Sequence, residues 1–273
     1  MRRNFISNNK AYIVWYIFYF LFFWGLTYFL IIPLLLYIIS FLIAITPIAE
    51  SFWRVCSGVR PLRLRQEKNR LQPLFDDVYS ESASRLKKLP KKINLYIQEN
   101  MDINAFAFGR RTLVLTRGSI ELLSDDCLKG LIAHELGHFA NGDTVVSLFT
   151  TVCNLPMSLL MKWLTDTKKS FNKIERDNLF VFLLRTVFDF IYYIFKGIEF
   201  IGDLIVMHTR RKSEYQADLL ALKCGLGMEL ADVLIQIYQV SVSKPESVKG
   251  QLKSTHPHIT KRIERLESIL YGD

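Results

Sequence analysis

Ser124-Asp-Asp-Cys-Leu-Lys-Gly-Leu-Ile-Ala-His-Glu-Leu-Gly-His-Phe-Ala140 is the stretch on which the reading of this chain turns. Ser124 is a helix N-cap residue, and Asp125 and Asp126 place negative charge at the positive end of the helix dipole. The apolar spacing that follows predicts a helix to about Ala140. On it, His134 and His138 stand at i and i+4, one turn apart on one face, so their imidazoles can converge on a single cation. Neutral imidazole suits zinc. Glu135 projects beside the pair without being a ligand and can take a proton from a water activated there. The chain has only five histidines, so a chance His-Glu-x-x-His is expected roughly a few times in a thousand such sequences. Leu131, Ile132, Ala133 and Leu136 surround the pair with apolar side chains, where two histidines without a ligand would be costly to bury.

Working outward, Pro73 opens a predicted helix to about residue 89, with Leu74, Val78 and Leu86 among its apolar positions. Residues 93–97, 103–108 and 112–116 read as strands, with Gly109-Arg110-Arg111 as the turn between the last two. Beyond the histidine helix, residues 144–161 are uncharged and contain Pro156. A polar loop is expected over 165–178, then a long helical pattern over 179–223, a shorter one over 230–240, a polar linker over 243–255 and a final helix over 259–270. The fold class is therefore mostly α with a small β-sheet, an α+β domain.

The ends of the chain's apolar blocks say where it sits. Half of the 273 residues are hydrophobic and mean hydropathy is +0.18, but residues 11–48 hold no Asp, Glu, Lys or Arg. A single helix of that length would reach roughly 57 Å, nearly twice a bilayer's hydrocarbon core, so two spans turning back near residues 25–33 are expected. The net charge of +9 does not mark a nucleic-acid binder. Arg2, Arg3 and Lys10 precede the apolar block, and Arg54, Arg60, Arg63, Arg65, Lys68 and Arg70 follow it. This is the positive-inside pattern, suited to anionic headgroups, and it places both flanks in the cytoplasm. Cys56, Cys127, Cys153 and Cys224 have no CxxC spacing and read as free thiols in a reducing compartment.

The helix from Leu179 onward is apolar and aromatic, yet carries Arg185, Asp189, Lys196, Glu199 and Asp203 within one arc of roughly 80°. Arg210, Glu214 and Asp218 extend that arc to about 100° if the helix is unbroken. Charges at membrane depth face a protein interior or a water-filled cavity and pair, and Arg185 with Asp189 and Lys196 with Glu199 have pairing spacing. The opposing reading is an amphipathic helix at the interface. Lys168, Lys169, Lys173 and Arg176 favour it, because spanning helices on both sides would put them on the non-cytoplasmic face.

Three blocks together resemble the HtpX-type membrane zinc peptidases, relatives of the type I CAAX prenyl peptidases. They are Asp102-Ile-Asn-Ala-Phe-Ala-Phe-Gly109 through His134-Glu-Leu-Gly-His-Phe-Ala-Asn-Gly-Asp143, then Arg211-Lys-Ser-Glu-Tyr-Gln-Ala-Asp218, then His256-Pro-His-Ile-Thr-Lys-Arg262. The resemblance spans about residues 93–270. It implies a zincin-like catalytic domain with one Zn²⁺ held by His134, His138 and Glu214, and Glu135 as the catalytic acid–base. It also implies Asp218 as an acid behind a ligand histidine, Asn104 and Ala105 on a strand that pairs with extended substrate, and His256 and Arg262 near the cleft as oxyanion-binding groups. Relatives often have two prolines after the histidine of the third block, and here the second is His258. The implied activity is endopeptidase hydrolysis of protein substrates in quality control of misfolded membrane proteins, a stress response. A processing peptidase for one defined, possibly lipidated, substrate and a non-catalytic zinc-bearing membrane scaffold are the alternatives. The expected organisation is a transmembrane helical hairpin over 1–50, a first catalytic half over 51–143, a hydrophobic insert of two further membrane helices over 144–206, and a second catalytic half over 207–273. The expected setting is the cell inner membrane, multi-pass, with the catalytic domain in the cytoplasm. The partners are the lipid bilayer and protein or peptide substrates, with no nucleic acid; the oligomeric state is left open.

Overall fold

The computed structural model describes residues 31–32, 34–36, 38–44, 46–86, 88–172, 179–242 and 259–272, with backbone alone over 203–209 and 241–242. After a helical stretch ending at Ala44 come α1 (Pro47–Cys56), β1 (Val59–Pro61), α2 (Arg65–Arg85), β2 (Asn94–Gln98), β3 (Ala105–Phe108) and β4 (Thr112–Thr116). Then follow α3 (Arg117–Leu122), α4 (Asp125–Asn141), α5 (Asp143–Phe171), α6 (Leu179–Lys223), α7 (Gly227–Val242) and α8 (Ile259–Tyr271).

The four strands lie in the order β1-β2-β4-β3. β2 and β4 are parallel, while β1–β2 and β3–β4 are antiparallel. Alternation along β4 serves two cores. Leu113 and Leu115 face a main core with Leu71 and Phe75 of α2, Leu128, Ile132 and Leu136 of α4, and Leu230 and Val233 of α7. Val114 faces the other way, onto Ala49 of α1 and Leu148 and Val152 of α5. Each of the three β4 side chains is 0% exposed, a burial that contributes about 1.5–3 kcal/mol per side chain. The sheet is thus held between the histidine helix and the apolar helix α5.

Several expectations are met. Ser124 caps α4, its hydroxyl accepting from Cys127 N–H. β4 has the expected bounds, and Gly109 turns the hairpin with φ +67°. Others are corrected. The first helix starts at Arg65 rather than at Pro73, which lies inside it. Glu67 reaches back to the Leu64 N–H and anchors the earlier start, and Pro73, inside the helix, removes one donor and crowds the carbonyl four residues back. β1, three residues containing Arg60 and Pro61, was not expected. Residues 165–170 are not a loop: α5 continues to Phe171, with the Thr165 hydroxyl on the Met161 carbonyl and Lys169 against Asp166 one turn back. Residues 1–30, the linker 243–255 and His256 lie outside the described residues.

Among the described residues α5 is the one helix long and apolar enough to cross a bilayer. Residues 34–44 and 47–56 reach that length and hydropathy only together, and the two helices are bent by 96°. Pro47 sits at N1 of α1 and holds Thr46 extended, which ends the preceding helix. α6 is unbroken over 45 residues. On it Asp189 is half-buried and bonds Lys168 of α5 at 3.0 Å, while Arg185 stands 4.0 Å from Asp189. Lys196 pairs with Glu199, but its side chain is 54% exposed. The main partner of Asp189 therefore comes from α5, from a position read as loop. The Asp203 side chain is outside the described set. The apolar side chains of α6, among them Phe182, Val187, Phe190, Ile194 and Ile198, point outward.

Candidate active site

The site forms where α4 crosses α6. Gly137, between the two histidines of α4, meets Ala217, between Glu214 and Asp218 of α6. A Cβ on Gly137 would lie 3.0 Å from the Ala217 Cα. Two small residues at the crossing let the backbones approach and bring the polar side chains together. His134 Nε2 lies 3.5 Å from Glu214 Oε2 and His138 Nε2 lies 3.8 Å from Glu214 Oε1. One ligand atom of each residue falls within 4.8 Å of the others, a spacing that can hold a metal ion.

Both imidazoles are steadied through their other nitrogen. His134 Nδ1 lies 2.9 Å from Asp218 Oδ1, and His138 Nδ1 lies 3.1 Å from Asp143 Oδ2. An Nδ1–H donated to a carboxylate fixes the tautomer that leaves an Nε2 lone pair for a cation. Ser213, next to Glu214, donates to the same Asp143 oxygen. Asp143 belonged to the first sequence block but had no role assigned. Its signal is an acid five residues after the second histidine, just beyond the left-handed Gly142 that starts a new helix.

Arg262 of α8 closes the cluster from below. Its guanidinium donates to both Asp218 oxygens at 2.8 and 2.6 Å and lies 2.8 Å from Glu214 Oε2. The residue is only 5% exposed, so it braces two carboxylates at this site. Its expected role near the cleft was oxyanion binding; His256, the other residue so assigned, is outside the described set.

The electrostatics favour a divalent cation. Glu135, Glu214 and Asp218 are buried beside a single buried guanidinium, that of Arg262, so buried carboxylates outnumber the buried guanidinium at this site. Burial works to lower the pKa of His134, but the hydrogen bonds of Asp218 and Glu214 outweigh it and push the ring up to about 9. Burial likewise opposes ionisation of Asp218, yet His134 and Arg262 hold its carboxyl below the usual range. For Asp143, desolvation is outweighed by His138 and Ser213 in the same sense.

β3 is one of the two edge strands of the sheet and packs beside α4. The Asn104 N–H bonds the Thr116 and Ser119 hydroxyls and its carbonyl accepts from Thr116 N–H. Asn104 thus spends its backbone on the β4 side. By the alternation of an antiparallel ladder, Ala105 and Ala107 turn their N–H and C=O groups to the open edge. Of the two strand residues expected to meet substrate, Ala105 turns its backbone to this edge, whereas Asn104 precedes β3 and faces β4.

Such a scaffold, two crossing helices and an edge strand around a His-His-Glu cluster, is that of a metallopeptidase, and the chain belongs to peptidase family M48, whose model matches residues 65–270. It is 28% identical over 256 residues to the protease HtpX homolog of Bacillus subtilis (strain 168), covering 85% of this chain and 82% of that protein. Protease HtpX of Enterobacter sp. (strain 638) is 28% identical over 248 residues, 81% of each chain. The crystal structure of S. mikatae Ste24p shares the fold, with a TM-score of 0.50 at 18% identity over 92% of this chain. This chain spans 57% of that protein's length. The resemblance read from the three sequence blocks is upheld.

Proposed function

We propose that this protein is a membrane-bound zinc endopeptidase that hydrolyses peptide bonds of misfolded membrane proteins at the cytoplasmic face of the cell inner membrane. The observation that carries the reading is the convergence of His134, His138 and Glu214 within 4.8 Å, with Glu135 buried on the same helix. Residues 51–143 and 207–273 form the catalytic unit, and 144–206 is the membrane insert between them.

His134, His138 and Glu214 would hold the zinc, which when bound polarises the scissile carbonyl and acidifies water. Glu135 takes the proton of the attacking water and returns it to the leaving amine. Asp218 and Asp143 keep both imidazoles in the ligating tautomer. The open edge of Ala105 and Ala107 receives the substrate as an added strand and fixes its scissile bond over the site.

The test is Glu135→Gln in the purified full-length protein. The variant is expected to keep about one zinc per chain, as a three-ligand site requires, and to lose cleavage of casein and of a destabilised membrane protein. Cleavage at the wild-type rate would refute the assignment of Glu135, and equal silence of wild type and variant with every substrate would support a scaffold.

A further inference from the structure

Helix α1 has two unlike faces. Ala49 is 0% exposed and Trp53 packs with it onto the sheet. Opposite them Ile48, Phe52 and Val55 are 65%, 51% and 80% exposed, and they fall within an arc of roughly 60° at helical spacing. The helix is bent by 96° from residues 34–44, so it does not continue their direction. Its inner face is locked to the β3–β4 hairpin by Glu50, whose carboxylate accepts from the N–H groups of Arg110 and Arg111, each at 3.0 Å, and from the Thr112 hydroxyl at 2.6 Å. β2 begins at the same end of the sheet, Asn94 being in register with Thr112. Four exposed cations gather there: Lys91, Lys92, Arg110 and Arg111.

We propose that this end of the molecule is a docking surface for an anionic bilayer. α1 lies in the plane of the interface with Ile48, Phe52 and Val55 in the upper acyl region, and the four cations meet headgroup phosphates. An amphipathic helix bordered by basic residues binds membranes in this way, through apolar burial and attraction to anionic lipid together. Because Glu50 ties α1 to the hairpin, the surface also sets the height of the edge strand β3 above the membrane. Substrates in reach are then extended segments lying close to the bilayer. The inference rests on the membrane reading given above.

The experiment reconstitutes the full chain into vesicles of phosphatidylcholine with or without phosphatidylglycerol. Single cysteines replace Ile48, Phe52, Val55 and, as a control in α5, Leu159, in a background carrying Cys56→Ser and Cys153→Ser. Each carries a fluorophore, and nitroxide lipids of graded depth read its position. The expected result is one shared shallow depth for positions 48, 52 and 55, with stronger quenching in anionic vesicles. Changing Lys91, Lys92, Arg110 and Arg111 together to Gln is expected to abolish that lipid dependence. A depth that changes steadily by about 1.5 Å per residue from 48 to 55 would make α1 part of a span and overturn the proposal. Quenching by aqueous iodide alone would overturn it too. So would protection from all quenchers, which would put residues 1–30 or a second copy on this face. An unchanged lipid dependence in the four-Gln variant would overturn the role of the cations. An aqueous label at Leu159 would instead bring down the membrane reading itself.

Discussion

Asp218→Asn separates metal binding from stability at this site. Asp218 is 3% exposed; one of its oxygens lies 2.9 Å from His134 Nδ1, and both accept from Arg262, at 2.8 and 2.6 Å. Asparagine keeps one acceptor oxygen but removes a negative charge and half of the guanidinium clasp. Loss of an acid behind a ligand histidine costs about 10–100-fold in metal affinity, equivalent to about 1.4–2.8 kcal/mol. The second effect falls on Arg262. It stays buried, with Glu214 at 2.8 Å as its remaining close carboxylate. Breaking a buried ion pair on one side costs about 3–5 kcal/mol, and the surviving Glu214 contact argues for the lower end. In a protein of this size about 3 kcal/mol lowers Tm by roughly 6–12 °C. Competition against a chromogenic chelator reads the zinc affinity, and thermal unfolding of the zinc-loaded and zinc-free protein reads the stability. Adding Arg262→Leu removes the half-paired guanidinium but leaves Glu214 buried without its cation, so it is expected to recover Tm only in the zinc-loaded protein, while zinc binding stays weak. Wild-type zinc affinity in Asp218→Asn, within threefold, would refute the argument that Asp218 sets the ligand tautomer and the site's charge.

Gly109→Ala is expected to destabilise by about 1–2 kcal/mol for its left-handed backbone alone, and its Cβ would also collide with the Glu50 carboxyl group; an unchanged Tm would remove Glu50 as the clamp. Lys168→Leu leaves Asp189 with only the longer Arg185 contact and is expected to lower Tm, whereas Lys168→Leu with Asp189→Leu recovers much of the loss; additive losses would refute the pairing across α5 and α6. Glu67 is held down to about 2 from 4.5, first by its hydrogen bond from Arg60 and then by Arg117 against the cost of burial. Its folded-state pKa is depressed, so its contribution is full above pH about 4.5 and fades as pH falls toward 2. The Tm gap between wild type and Glu67→Gln is therefore expected to be constant at neutral pH and to narrow below pH 4.5; a gap independent of pH would exclude the ionised carboxylate as its source.

What the sequence disclosed and what it hid follow from how far each signal reaches along the chain. The histidine helix was legible because cap, acids, apolar spacing and ligands all lie within residues 124–140. β4 was legible for the same reason, being a short apolar run after a glycine turn. Glu214 and Asp218 came from resemblance, since a helical acid among Arg210, Arg211 and Lys212 carries no local mark of a ligand. Pro73 misplaced the start of α2 because proline favours the first turn statistically, while the back-bond of Glu67 to Leu64, which decides the matter, is a geometric fact. Residues 165–170 read as loop from their polarity, yet helix continuity needs only the absence of breakers. Asp143 was missed although it stands only five residues after His138, Ser213 because it joins them from 70 positions away, and the close crossing of Gly137 and Ala217 appears only once two helices are laid together.

Helix α6 has a mechanical consequence. It is continuous for 45 residues, about 67 Å, with Glu214 near one end and the outward apolar stretch near the other. A rod of this kind is a lever arm. Between Leu179 and Glu214 it measures roughly 52 Å, so a rotation of two degrees about the metal site sweeps the far tip by nearly 2 Å. One continuous helix therefore carries both Glu214 and the outward apolar stretch, with no loop between them.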